Sequence, residues 1–255
     1  MVSLLHPPQH DQRWLNAHAQ VRRAGHPITT PNFWRDVESC PDSLIVHVFR
    51  SATAEPVPLL AQRISILREA GDILYQHFAG RPASVVARAN GSAATLVNLL
   101  VEYFPNFRDE AVFHDKTVHL YKRAQILVAD LWACFNGTEY GHFDDIDHLT
   151  MFADYRVPQM LHSMRCLLYS PPLESRIKRL QEIPSGDRGE TEIRGCSIWC
   201  VELIRRHIIQ AHPEAQGKVN AVLIDFFLYD TCKERERAGN EREMLPHHRT
   251  RSIWY

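Results

Sequence analysis

Nine residues late in the chain, "AVLIDFFLY" (221–229), constrain the fold more than any other stretch. Eight are apolar or aromatic, and the ninth, Asp225, is a carboxylate. With polar "GKVN" before it and "DTCKERERAG" after it, the segment reads as a strong helix. A helix that is apolar all round belongs inside a protein. Asp225 therefore faces protein whichever way it points, and a buried carboxylate must be paired, hydrogen-bonded or protonated. Tyr229, four residues on, shares its face, and Asp230 turns toward the rim. A structural ion pair and a functional carboxylate both fit this pattern.

The rest of the chain repeats the helical theme. In "AEPVPLLAQRISILREAGDILYQHF", Leu59, Leu60, Ile64, Leu67, Ala70, Ile73 and Leu74 recur at helical spacing. Pro56 and Pro58 mark its start, and Gly80 and Pro82 close it. "SAATLVNLLVEYFPNF" follows, with Ser92 as N-cap and Pro105 beyond its end. "YKRAQILVADLWACF" (Tyr121–Phe135) is bounded by Asn136 and Gly137. "FDDIDHLTMFA" reads as a further helix whose carboxylate-rich first turn suits the helix dipole. "PQMLHSMRCLLY" places Pro158 at the first helical position. "PPLESRIKRLQE" precedes a polar loop, "PSGDRGE", and "ETEIRGCSIWCVELIRRHIIQAH" is long and amphipathic. The tail "MLPHHRTRSIWY" ends in aromatics that dock. Trp14–Val21 suggests a short helix ended by Gly25 and Pro27, and Ser43–Thr53 suits a strand or a short helix. The chain reads as one mainly α domain, with residues 1–52 weakly structured.

At 255 residues a sizeable core can form, and 45% hydrophobic with 23% charged residues is ordinary for a soluble globular protein. The net charge of −1 lacks the basic excess of a polynucleotide-binding protein. A small anionic ligand suits it better. No apolar stretch has the length of a membrane span, and "MVSLLHPPQHDQRW" has no secretory pattern. The six cysteines are scattered without a CxxC, which predicts reduced, mostly buried thiols in a cytosolic or nuclear protein. "PHHR" has no acidic partner at metal spacing and reads as a solvated tail.

Two more stretches carry chemistry. "TMFADYRVPQML" sets Asp154, Tyr155 and Arg156, then Gln159, among apolar neighbours. Pro158 should push Arg156 and Val157 off the helical path, leaving Asp154 and Tyr155 at an irregular junction. Asp154 equally suits the cap of the next helix. In "EIRGCSIWCVE", Arg194, Trp199 and Glu202 fit an amphipathic helix with a surface Arg–Glu pair.

Taken in order, "YKRAQILVADLWACF", "DIDHLTMFADYRVPQMLHSMRCLLYS", "EIRGCSIWCVELIRR" and "LIDFFLYD" resemble the queuosine salvage proteins. These are queuosine 5'-phosphate N-glycosylases, and the likeness runs from about Thr53 to Tyr255. It implies a helical domain over 53–255 similar to helix-hairpin-helix DNA glycosylases. It also implies hydrolysis of the N-glycosidic bond of queuosine 5'-monophosphate, freeing queuine for tRNA modification, with no metal or organic cofactor. Carried over, Asp225 is the catalytic carboxylate. Phe152, Asp154 and Tyr155 bind the base, and Tyr229 and Asp230 complete the pocket. Lys122, Arg123 and Arg194 face the phosphate. A 7-deaza base has no N7 to protonate, so a second carboxylate such as Asp154 would assist its departure. The family's N-terminal segment carries a "D-x-L-N-F-x-F-W"-like motif that helps close the pocket. That motif is missing here, and "PNFW" (Pro31–Trp34) only echoes it at another position. A homologue that only binds the nucleotide, and a helical interaction scaffold with a structural Asp225, are the competing readings.

Overall fold

The computed structural model describes residues 25, 30–51, 54–239 and 244–255. The helix expected over Trp14–Val21 lies outside the described residues. Apart from one two-stranded hairpin, the regular structure among the described residues is helical. The chain divides into two compact units, one up to Val85 and one from Val86 to Tyr255.

In the first unit, α1 (Pro31–Arg35), α2 (Asp42–Val48) and α3 (Leu60–His77) are followed by α4, which starts at Pro82 and runs to Ala89. The region expected to be weakly structured thus contains two helices. Phe33, Cys40, Ile45 and Phe49 are buried together, packed by Leu60, Ile64 and Leu67 of α3. "SLIVHV" is helical because only Ile45 turns fully inward, a one-sided pattern that suits a helix and not an alternating strand. Arg68 of α3 donates to the Trp34 and Cys40 carbonyls and to Asp42, tying the three helices together. α3 begins after Leu59, which is left-handed at φ 58°. Pro82 closes nothing. Its fixed φ and missing N–H suit the first turn of the unforeseen α4.

In the second unit, α5 (Ala93–Tyr103) is buried on most sides, and Ser92 caps it by accepting the Thr95 N–H at 3.1 Å. Strands β1 (Glu110–Phe113) and β2 (Lys116–His119) pair antiparallel through His114 and Asp115, both at positive φ. The sequence reading missed this hairpin, because its turn lacks the Asn-Gly or Asp-Gly signature that two such residues normally carry. Then follow α6 (Lys122–Cys134), α7 (Arg156–Ser163), α8 (Pro171–Lys178), α9 (Arg188–Ala211) and α10 (Ala221–Arg237). The main core joins α7, α9 and α10 through Val157, Met160, Leu161, Val201, Ile224, Leu228 and Cys232. α10 is less enclosed than its composition predicts. Leu223 and Phe227, one turn apart, face outward, with Phe227 67% exposed. The tail docks as expected. Ile183 donates to the Arg249 carbonyl, Gln159 to that of Leu245, and His248 is buried instead of solvated. The thiols are less buried than expected. Cys40 and Cys232 are inside, but Cys134, Cys166 and Cys196 are exposed.

The helix expected over "FDDIDHLTMFA" does not form. Only a 3-10 turn, Ile146–His148, breaks an otherwise irregular path. The acidic first turn serves another helix. Asp145 accepts the Ser92 hydroxyl and the Ala93 and Ala94 N–H groups at the N-terminus of α5. Residues 149–154, except Thr150, are then buried without ladder partners.

Gly141 fixes how the next loop meets α6. A Cβ there would collide with the Leu131 carbonyl and with Phe135 Cβ. Gly141→Ala is expected to lower stability by about 1–3 kcal/mol, the range for overpacking. Urea unfolding checks this, and an unchanged midpoint would mean that the loop shifts freely.

Candidate active site: two buried carboxylates and a lysine

A buried irregular segment must have its backbone groups satisfied by something other than a ladder. Here polar side chains from three helices do so. Gln125 of α6 accepts the Thr150 N–H at 2.8 Å and donates to the Leu120 carbonyl. Asp225 of α10 accepts the Phe152 N–H at 2.8 Å. Arg194 of α9 donates its Nε–H to the Ala153 carbonyl at 3.0 Å. Asp154 ends the segment. Its Oδ1 accepts the N–H groups of Arg156 and Val157 at 3.0 and 2.9 Å. It therefore caps α7, and its other oxygen takes no part in the cap. Arg156 and Val157 do not leave the helical path. They form the first turn, with Pro158 third, where a missing N–H leaves no hydrogen bond unmade.

α6 begins where the hairpin returns. Tyr121 is left-handed at φ 47°, and Lys122 is the first helical residue, with its side chain turned inward and buried. Asp109, fully buried, organises this corner. Its carbonyl accepts the Leu120 and Tyr121 N–H groups, and its carboxylate accepts the Lys122 N–H at 3.2 Å. The same carboxylate takes Arg194 in a two-pronged ion pair, at 2.9 Å on Oδ1 and 2.5 Å on Oδ2. Arg194 is only 2% exposed, and its remaining contact of this kind is Glu190, 3.5 Å away. The surface Arg–Glu pair expected in this helix exists elsewhere, as Glu202 with Arg205 and Arg206, both at 2.7 Å.

This frame brings Lys122, Asp154 and Asp225 close enough to alter one another's ionisation. Burial pushes the Asp225 carboxyl well above the usual carboxylate range, and the neighbouring Asp154 pushes it further. Burial also raises Asp154, but the Lys122 ammonium and the two capping N–H groups oppose the rise. Burial lowers Lys122, against the pull of Asp154. Two carboxylates beside one ammonium favour a state with a single proton shared by the acidic pair. Lys122 acts on both carboxylates, first among the groups that favour ionised Asp154 and last among those that act on Asp225, so Asp154, with two N–H donors besides, is the better host for the negative charge. Asp225, with one N–H donor, is the better host for the proton.

Of the other residues singled out from sequence, Phe152 is buried with its ring 6.1 Å from that of Phe226. Tyr155 is half-buried and lies against His247, the centroids 4.7 Å apart. Tyr229 packs on the main core, one turn from Asp225. Asp230 is exposed, and the charges acting on it are those of Glu234 and Arg237, so it does not join the cluster. The three cations assigned to a phosphate do not converge. Lys122 faces Asp154 and Asp225, and Arg194 holds Asp109. Arg123 donates to the Asn106 and Ile253 carbonyls. Sequence reasoning missed Asp109, Gln125 and Glu190. Only Gln125 carried a signal, lying one turn beyond Lys122 on the same face of its helix. Among the described residues no three His, Cys, Asp or Glu side chains gather to hold a metal ion. No helix among them is long and apolar enough to cross a membrane.

A mainly α-helical frame around a water-poor pair of carboxylates and a lysine has the features of a site for acid–base work. The chain belongs to the queuosine salvage family. The family model described as "Queuosine salvage protein" matches residues 14–255. It is 45% identical over 238 residues to a protein of Schizosaccharomyces pombe, covering 91% of this chain and 67% of the relative. It is 42% identical over 243 residues to one of Mus musculus, covering 93% and 70%. It is 41% identical over 249 residues to one of Sphaerobacter thermophilus, covering 96% and 72%. All three are named queuosine 5'-phosphate N-glycosylase/hydrolase.

Two outcomes test this frame. Arg194→Leu leaves Asp109 as an uncompensated buried charge and should lose about 3–5 kcal/mol in chemical denaturation. A loss under about 1 kcal/mol would show that the pair does not hold the corner. The second concerns pH. Asp225 has a raised folded-state pKa, so its contribution to stability is whole below the unfolded value near 4 and is lost as pH rises toward the folded one. Asp225→Asn removes that loss. Its melting temperature should gain on the parent's as pH rises above the unfolded value near 4, whereas a constant gap would place the ionisation elsewhere.

Proposed function

We propose that this protein hydrolyses the N-glycosidic bond of queuosine 5'-monophosphate, releasing queuine, with Asp225 and Asp154 as the acid and the charge-bearing carboxylate. The observation that carries the reading is the sharing of one buried site by Asp154, Asp225 and Lys122 in a chain whose relatives bear that activity in their names. Breaking the bond builds positive charge at the anomeric carbon, and a fixed carboxylate in a water-poor site stabilises it. Asp154 suits that task. Two backbone N–H groups lock one of its oxygens, and Lys122 favours its ionised form. The base leaves with the electron pair of the broken bond and takes up the proton held at Asp225. Water then bonds to the anomeric carbon and returns its proton to the carboxylate pair, which regains its starting state.

These roles exchange the two that the resemblance suggested, a reading supported by the Lys122 charge and the two N–H donors that favour ionised Asp154. Phe152 and Tyr155, beside Asp154 in the chain, supply aromatic surface for the base. Lys122 belongs to the catalytic cluster and not to the phosphate. Arg194 and Asp230 take no part in binding under this reading. We place the activity in the cytoplasm, where six free thiols remain reduced.

The test is turnover of queuosine 5'-monophosphate followed by chromatography of free queuine. Asp225→Asn and Asp154→Asn should each lower kcat by roughly a hundredfold to ten-thousandfold, the usual worth of a positioned acid or charge. Queuine release at the parent rate by either folded variant would remove that residue from the mechanism.

A further inference from the structure

The Lys122 ammonium of this cluster lies over the ring of Tyr255, a residue to which neither the sequence motifs nor the acid–base scheme gives a role. We propose that Tyr255 is a positioning residue that holds the Lys122 ammonium in place, charged, against Asp154 through the face of its ring. This rests on the catalytic reading of the cluster given above.

The geometry has three parts. The Tyr255 ring centroid lies 5.9 Å from Lys122 Nζ and 5.3 Å from Arg194 Cζ, so one ring lies within reach of two cations. That is within the range of about 6 Å over which a ring quadrupole attracts a cation, and burial strengthens the attraction. The ring itself is fixed at its far end. Its hydroxyl donates to Glu190 Oε1 at 2.5 Å and lies 3.2 Å from His248 Nε2. His248 is buried and its pKa falls to about 4, so the imidazole is neutral at pH 7. With the Tyr255 proton committed to Glu190, His248 must donate from Nε2, which leaves Nδ1 as a bare lone pair. Nδ1 is the buried atom of this imidazole with no hydrogen-bond partner. The phenol stays protonated, since burial pushes its pKa upward. Lastly, Tyr255 is 6.3 Å from the ring of Tyr155, next in sequence to Asp154, so it touches the wall that carries the carboxylate as well as the lysine.

The charged groups acting on Lys122 are the carboxylates Asp154, Asp225 and Asp109 and the guanidinium of Arg194. Burial opposes the ammonium, and so does Arg194. The ring face opposes both. It also shares its pull with Arg194, and the phenol's tie to Glu190 places it where it can serve both cations.

The chain has five lysines, Lys116, Lys122, Lys178, Lys218 and Lys233, so the Cε signals of lysine are readily resolved in the full protein after labelling. Lys122 is identified by the signal lost in Lys122→Gln. In Tyr255→Leu its ionisation midpoint should fall by roughly half a pH unit or more, the equivalent of a partly buried cation–π contact. In Tyr255→Phe, which keeps the ring and loses the anchor, most of that fall should be reversed, although both variants melt earlier than the parent. If Tyr255→Leu does not fold, an isosteric pair replaces it, phenylalanine and pentafluorophenylalanine at position 255. The fluorinated ring reverses the quadrupole at equal shape and should lower the midpoint. A midpoint that ignores the ring's character, or that shifts equally in Leu and Phe, overturns the proposal. The titration reads Lys122 whether or not the chain turns over substrate. Absence of queuine release in the parent would count against the catalytic reading alone.

Discussion

The buried ion pair of Arg194 with Asp109 is the interaction on which the site depends. Taking two charges out of water is expensive, and their attraction offsets this only when geometry and further hydrogen bonds are good. Both conditions hold. The guanidinium meets the carboxylate with two N–H groups and gives its Nε–H to Ala153, while the carboxylate also receives the first N–H of α6. One pair thus fixes the start of the helix that carries Lys122 and the segment that carries Asp154. An apolar pair of similar volume could equal it in stability. It could not hold a helix N-terminus and a carbonyl at once, which is what the placing of a lysine against a carboxylate requires.

The same logic explains what was legible in the chain. Helices with a one-sided or fully apolar pattern, such as 93–103 and 122–134, could be read because their periodicity and caps are local. Asp225 could be read as buried because its neighbours left it no polar direction. Residues 143–153 could not. Their acidic residues resemble a helix's first turn, but Asp145 caps a helix that begins more than fifty positions earlier. Arg194 looked like a surface residue because its partner lies 85 positions away. The identities of Asp154 and Asp225 were visible, and the balance of charge between them was not. Which of two carboxylates holds a proton depends on how the N–H donors and a nearby cation divide between them, and only the folded chain sets that division.

Irregular backbone is usually found at a surface, where water satisfies it. Here it is inside, and the side chains that replace water are the ones that assemble the site. Asp225 holds the Phe152 N–H with one oxygen while standing beside Asp154, so one carboxylate both satisfies the segment's backbone and shares its charge balance with a neighbour. Asp154 divides its two oxygens in the same way, one for capping α7. Such doubling keeps the pair rigid without further groups, and preorganised charge is what transition-state stabilisation needs.

The tethers of this segment also bear on how the protein forms. They span 25 positions from Gln125 to Thr150, 41 from Arg194 to Ala153, and 73 from Asp225 to Phe152. Closing loops of that length loses chain entropy before any contact compensates, and such non-local contacts slow folding. Local helices such as α5 and α10 can form early, while residues 149–154 find their partners only when α6, α9 and α10 have met. The site is thus among the last features to mature, and a chain stalled short of that point would hold its helices while its two carboxylates remained apart.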